Sequence, residues 1–238
     1  MTKEKIEELE EEIQKLKEQH ENFVLETIRK IEGDEELPDR LREDKEFMLE
    51  VLKQRIHHKR YSRRFFISDE FIIYVSNSFK DDTEFALKAV KIYDEVFFHL
   101  SGRLKNDKEF VLKALKCTSD TGCILRELSE KLKDDKDVVI EAIRGEGYAF
   151  LSYASDRLQA DKDVVLEAVK RDGKKREFGS IGFSLNFASQ EIQYDKDFVI
   201  EAIVQFLEAL KEYDFDLEYT SRNILHYNEF LLEALKKI

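Results

Sequence analysis

One phrase of apolar and polar positions recurs along the chain. Aligned on an acidic first residue, its copies run Asp44 to Leu52 (DKEFMLEVL), Asp82 to Val90 (DTEFALKAV), Asp107 to Leu115 (DKEFVLKAL), Asp135 to Ile143 (DKDVVIEAI), Asp161 to Val169 (DKDVVLEAV) and Asp195 to Ile203 (DKDFVIEAI). Weaker copies start at His20 (HENFVLETI) and Tyr227 (YNEFLLEAL), so successive starts lie 24, 38, 25, 28, 26, 34 and 32 residues apart. Apolar residues occupy positions +3, +4, +5, +7 and +8 of the phrase, counted from its first residue. At 100° per residue these cover about 200° of a helix surface, twice the stripe of an ordinary surface helix, so each phrase predicts a helix with neighbours on two sides.

The polar positions of the phrase are as regular as the apolar ones. The opening Asp suits a helix N-cap, and a second carboxylate at +2 suits the positive end of the helix dipole. Position +6 is charged in all eight copies (Glu26, Glu50, Lys88, Lys113, Glu141, Glu167, Glu201, Glu233) and predicts a solvent face. Position +7 is Ala in six copies, which allows close approach of an adjacent helix.

Six residues before the Asp stands Ser in six copies (Ser76, Ser101, Ser129, Ser155, Ser189, Ser221), and three before it a large apolar residue (Phe79, Leu104, Leu132, Leu158, Ile192, Ile224). The first copy has Pro38 and Leu41 there. Upstream of each Ser lies a short apolar run such as VFFHL or CILREL. The repeating unit is therefore long helix, variable loop, short helix, Ser-capped turn. The stretch from Ser to Asp keeps its length while the loops absorb all insertions, as expected of a packed unit. The fold class is all-α: an α-solenoid of about seven short helix-pair repeats spanning residues 33 to 238, preceded by an amphipathic, charged N-terminal helix over residues 1 to 32.

The run Asp135 to Gly173 (DKDVVIEAIRGEGYAFLSYASDRLQADKDVVLEAVKRDG) resembles the repeat family called domain of unknown function 4116. Its units have the form D-K-E-V-V-L-x-A-V, a Gly-containing turn, then A-L-x-x-A-S-x-x-L. The resemblance is recognisable over roughly residues 37 to 238. The chain departs from the pattern in carrying Gly-Tyr-Ala only at Gly147 to Ala149, and in longer loops at 53 to 70, 170 to 183 and 204 to 217. The resemblance implies a helical-repeat fold and no catalytic residue.

Composition agrees with this reading. One Pro and eight Gly in 238 residues are too few for the tight turns of a β-sandwich or barrel. Charged residues make up 39%, above the roughly 25% of an average domain, yet 42% apolar residues and 27 Phe plus Tyr are more than a disordered chain carries. The highly charged N-terminus has no apolar signal core, no stretch approaches a membrane span, and Cys117 and Cys123 are too far apart for a CxxC motif. A cytoplasmic protein with two reduced thiols and no membrane association is the expectation.

The N-terminal helix places Ile6, Leu9, Ile13, Leu16, His20 and Phe23 at alternating spacings of three and four, a seam of two and a half heptads. Docking as a cap on the first repeat is the favoured use of that seam, and pairing with a second copy of the chain is the alternative. Four Lys against eight Glu over residues 1 to 21 make its outer face acidic.

Two basic segments interrupt a net charge of −12. The first, RIHHKRYSRRFF, is read as a loop carrying Arg55, His57, His58, Lys59, Arg60, Arg63 and Arg64 among aromatics. The second, KRDGKKR, holds Lys174, Lys175 and Arg176. Cations interleaved with aromatics suit phosphate contacts and base stacking, although cations also gather at helix C-termini to meet the dipole. The overall negative charge argues against nucleic acid wrapped over the whole surface.

Catalytic patterns are missing. There is no GxxxxGK, HExxH or His-Cys zinc spacing, the glycine pairs at Gly145 to Gly147 and Gly179 to Gly182 are of the kind that end helices, and His99 falls in an apolar phrase. The recurrent DKE and DKD pairs look like metal ligands, but recurrence at every helix start is what capping predicts. No cofactor or metal is expected. The favoured function is a non-catalytic scaffold that binds another protein. The alternative is a binder of RNA or phosphorylated protein through residues 55 to 64 and 170 to 176.

Overall fold

The structure is a computed structural model, and it describes residues 3–32, 37–61, 75–118, 121–145, 150–173, 184–211, 230, 234 and 236. No strand occurs among them. The chain divides into two compact units, Met1–Ser101 and Gly102–Ile238.

The first unit contains α1 (Lys3–Glu32), α2 (Asp39–Arg42), α3 (Lys45–Tyr61), α4 (Asn77–Lys80), α5 (Thr83–Ile92) and a 3-10 helix, Asp94–His99. The second contains α6 (Gly102–Lys105), α7 (Lys108–Cys117), α8 (Thr121–Glu127), α9 (Glu130–Lys133), α10 (Lys136–Arg144), α11 (Phe150–Tyr153), α12 (Asp156–Gln159), α13 (Lys162–Gly173), α14 (Gln190–Tyr194) and α15 (Lys196–Lys211). The long helices α3, α5, α7, α10, α13 and α15 are the six clear copies of the phrase.

Burial follows the phrase position by position. In all six copies the residues at +3, +4, +7 and +8 are buried, from Phe47, Met48, Val51 and Leu52 in the first to Phe198, Val199, Ala202 and Ile203 in the last. Position +6 is buried in none of them. Each fully buried Val, Leu, Ile or Phe contributes roughly 1.5–3 kcal/mol relative to exposure, which is what holds these short helices together. Within the first unit α3 packs on α1 and α5; within the second α7 packs on α10, α10 on α13, and α13 on α15.

Every opening Asp caps its helix. The carboxylates of Asp44, Asp82 and Asp195 accept the amide N–H three residues on, at 3.0, 2.8 and 3.1 Å. Asp107, Asp135 and Asp161 each accept two, from the residues at +2 and +3.

Three expectations are corrected or refined. The stretch from Ser to Asp is a turn of helix rather than a bare turn: α2, α4, α6, α9, α12 and α14 occupy it, and all but the first bury the apolar residue at −3. The hydroxyls of Ser155 and Ser189 do cap their helices, through Leu158 and Ile192, whereas Ser76 and Ser129 hold the N-cap position without a side-chain cap bond. Arg55 to Tyr61 are the last two turns of α3 and not a loop, because nothing between Leu52 and Tyr61 breaks a helix and Lys, Gln and Arg favour one. Likewise Lys170 to Gly173 end α13.

The N-terminal helix docks on the first repeat by its C-terminal half. Val24, Thr27 and Ile28 are buried, Phe23 and Phe47 lie with ring centroids 5.5 Å apart, and the buried Thr27 hydroxyl donates a hydrogen bond to the Phe23 carbonyl at 2.9 Å. Towards the N-terminus the seam is uncovered: Leu9, Ile13 and Leu16 are 42%, 50% and 59% exposed. The expected final helix ending at Ile238 lies outside the described residues apart from Phe230, Ala234 and Lys236.

Candidate interaction surface

Successive repeats are locked in register by contacts that recur at equivalent positions. The Lys at +1 of one copy reaches the capping Asp of the next: Lys45 to Asp82 at 2.6 Å, Lys108 to Asp135 at 2.8 Å, Lys136 to Asp161 at 2.8 Å, and Lys162 to Asp195 at 2.6 Å. Lys108 and Lys136 also reach the second carboxylate, Asp137 and Asp163, at 2.8 and 2.9 Å. The ammonium groups of Lys45 and Lys162 also sit 5.6 and 5.5 Å from the ring centres of Phe79 and Phe198. The repeated Asp pairs thus serve helix capping and lysine pairing.

A backbone bond recurs beside this ladder. The amide N–H of the Ser at −6 donates to the carbonyl two residues before the preceding capping Asp: Ser101 to Lys80 at 2.9 Å, Ser155 to Lys133 at 3.1 Å, and Ser189 to Gln159 at 2.9 Å. The hydroxyls of Ser101 and Ser155 donate to Asp81 and Asp134. Arg157 adds a bond to the same Asp134 carboxylate at 2.9 Å. These bonds explain why the distance from Ser to Asp is fixed: an insertion there would break the capping, the lysine ladder and the backbone bond together.

The electrostatics follow the geometry. The Lys45 and Lys162 ammoniums, with the capped amides of Phe85 and Phe198, hold Asp82 and Asp195 below the usual carboxylate range. Burial pushes Asp135 and Asp161 up, but Lys108 and Lys136 with the capped amides outweigh it and the net displacement is downward. The Ser155 hydroxyl and then Arg157 lower Asp134. The partners respond in kind: the bonds to carboxylates raise Lys88, Lys108, Lys136 and Lys162 above an ordinary lysine.

Beside the engaged helix starts runs the charged +6 row, half-buried at Glu50, Glu141 and Glu167 and exposed at Lys88, Lys113 and Glu201. In the first unit Lys88 bridges Glu46 at 2.9 Å and Glu84 at 3.1 Å. An open groove of about 570 Å³ lies here, walled by Arg40, Glu43, Lys45, Glu46, Glu84 and Lys88 over Leu49 and Phe85. Its charged walls suit a polar polypeptide segment better than an apolar small molecule. In the second unit the row runs Lys113, Glu141, Glu167, Glu201, one residue from each of four helices packed side by side. Arg144 reaches from α10 to Glu167 at 3.2 Å, so the register holds on this face as well.

The sequence-predicted basic residues are placed only in part. Arg55, His57, His58, Lys59 and Arg60 lie on the last turns of α3, while Arg63, Arg64, Lys174, Lys175 and Arg176 fall outside the described residues. The first segment belongs to the first unit and the second to the other. His99 is half-buried in the 3-10 helix beside the buried Phe97. Cys117 is an exposed free thiol. Among the described residues no group of three or more His, Cys, Asp or Glu is placed to hold a metal ion, and no helix is long and apolar enough to cross a membrane.

Sequence reasoning marks Gly145 only as a helix end and does not single out Thr121. Thr121, fully buried at the start of α8, donates its hydroxyl to the Ala142 carbonyl of α10 at 2.8 Å. Gly145, which ends α10, packs directly over the Thr121 side chain, and its own carbonyl accepts from Arg171 of the next repeat at 2.8 Å.

A ladder of short helices, capped and paired repeat by repeat, defines an all-α helical-repeat protein. The family model described as Domain of unknown function (DUF4116) matches this chain at residues 66–105, 84–120, 107–159, 148–180 and 161–203, more than half its length, and the chain belongs to that family. No curated protein and no solved structure matches it.

Proposed function

We propose that this protein is a non-catalytic helical-repeat scaffold that binds another protein. The observation that supports this is the charged, solvent-reaching row of the second unit: equivalent half-buried to exposed positions on adjacent helices, held in register by the lysine ladder, make a surface of the kind repeat proteins use for extended partners. Three successive members of that row, Glu141, Glu167 and Glu201, are acidic, so the partner segment carries spaced Lys or Arg. The cytoplasm is the compartment that fits a surface thiol such as Cys117, which would remain reduced there.

Affinity purification from the native cell with quantitative mass spectrometry tests this reading. A partner recovered with the natural chain should fall at least tenfold with the triple variant Glu141→Lys, Glu167→Lys, Glu201→Lys, which should remain folded by circular dichroism because the pairs it removes, Arg144 with Glu141 and with Glu167, are surface ion pairs of small energy. A chain that recovers no reproducible partner, or a variant that keeps its partner undiminished, would overturn it.

A further inference from the structure

Five large apolar side chains are exposed in the described residues, and four of them, Leu9, Ile13, Leu16 and Phe23, lie on α1. They are spaced four, three and seven apart, which is the spacing of one coiled-coil seam. Beside the seam runs an open groove of about 480 Å³ whose far wall is Glu50 and Gln54 of α3, so this wall offers polar groups to Ile13 and Leu16. Docking through Val24, Thr27 and Ile28 anchors the helix and leaves this end of its seam without apolar cover.

We propose that the seam is covered by the same helix of a second copy, in a parallel, in-register two-stranded coiled coil over residues 5 to 20. Two independent features of the sequence specify that occupant. In the heptad register set by the spacing, Ile6 and Ile13 take the a positions and Leu9 and Leu16 the d positions, and Ile at a with Leu at d is the combination that favours parallel dimers. In the same register Lys5 and Glu12 fall at g, and Glu10 and Lys17 at e. A parallel partner then sets Lys5 against Glu10 and Glu12 against Lys17, each twice by symmetry, so that all four flanking contacts attract. An antiparallel partner with the same four core residues would instead set Glu12 against Glu12 and Glu10 against Glu10, so that like charges meet. All four charged residues are exposed and available. Glu10 and Glu12, which would repel an acidic partner, are thus matched by the chain's own lysines.

The pairing spans only about two and a half heptads, so association is concentration-dependent. Sedimentation equilibrium of the full chain should show a mass rising with concentration from 28.2 kDa towards twice that value. Glu12→Lys and Lys17→Glu should each weaken association at least tenfold by setting like charges against one another, and an equimolar mixture of the two variants should restore the two-chain mass, because only the mixed pair regains both attractions. Residues 12 and 17 are solvent-exposed, and circular dichroism should find both variants as helical as the natural chain. A chain that stays at 28.2 kDa at every concentration, a dimer indifferent to both substitutions, or variants that fail to complement one another would overturn the proposal.

Discussion

Replacing Gly145 by Ala should destabilise the protein by about 3 kcal/mol, a large effect for adding one methyl group. A Cβ at this position would lie 2.2 Å from Thr121 Oγ1, 2.3 Å from Cγ2 and 2.8 Å from Cβ, all closer than real side chains approach. Thr121 is fully buried and β-branched, so it has no flexible end to swing away. Either α8 shifts away from α10, or the threonine rotates and breaks its 2.8 Å bond to the Ala142 carbonyl, leaving the buried Thr121 hydroxyl without that acceptor while the carbonyl keeps its bond from the Gly145 N–H. Urea denaturation checks the magnitude, and the double variant Gly145→Ala, Thr121→Gly checks the cause. With the obstructing side chain removed, the alanine should cost less than about 0.5 kcal/mol; additive costs would show that the contact is not responsible.

Acid should weaken the fold in a narrow window, and the four capping aspartates together with Asp134 should be the reason. Asp82, Asp134, Asp135, Asp161 and Asp195 are held below their ordinary values in the folded chain. A depressed carboxyl stabilises the fold fully above its unfolded pKa, about 3.9, and loses that contribution as pH falls through the lower folded value. Stability should therefore hold at mildly acid pH and drop below about pH 4. The raised lysines act in the opposite direction: their contribution is complete below about 10.4 and is lost as pH climbs through their folded values. Substituting Asn for Asp82, Asp135, Asp161 and Asp195 separates capping from charge, since Asn caps a helix as well as Asp does. The variant should melt a few degrees lower than the natural chain at pH 7 and converge with it near pH 2.5. Equal melting temperatures at pH 7 would mean that the ladder contributes nothing.

Local features of the fold were readable from the sequence and non-local ones were not. Capping by Asp44 to Asp195 and burial at +3, +4, +7 and +8 depend on residues within one helix, where the spacing in sequence is the spacing in space. The pairing of Lys136 with Asp161 and of Lys162 with Asp195 escaped notice because the variable loops change the sequence distance while the spatial register stays constant. The only available signal was that Lys follows Asp in most copies, and the simplest meaning of that Lys is solvation. The C-terminal half of α3 was mistaken for a loop because His57 to Arg60 break the apolar periodicity, although nothing in them breaks a helix. Gly145 ends α10 as the sequence suggests, but its φ of −69° is open to any residue, so conformation is not what calls for glycine there. Space decides the residue there, and the residue occupying that space belongs to another helix. For the candidate surface, the +6 row is legible from its charge as reaching solvent, and none of its members is buried; what aligns them is not legible.

Native-state amide hydrogen exchange at Ser101, Ser155 and Ser189 tests the in-register stacking most directly. Each serine stands just before a short helix, where a backbone N–H has no intrahelical acceptor and in an isolated helix would exchange freely. Here each donates to the preceding repeat, to Lys80, Lys133 and Gln159. All three amides should exchange at least ~1000-fold more slowly than an unstructured peptide, with opening free energies close to those of the core amides of α5, α10 and α13. Exchange at the rate of a free peptide, while those helix cores stay protected, would contradict the stacking.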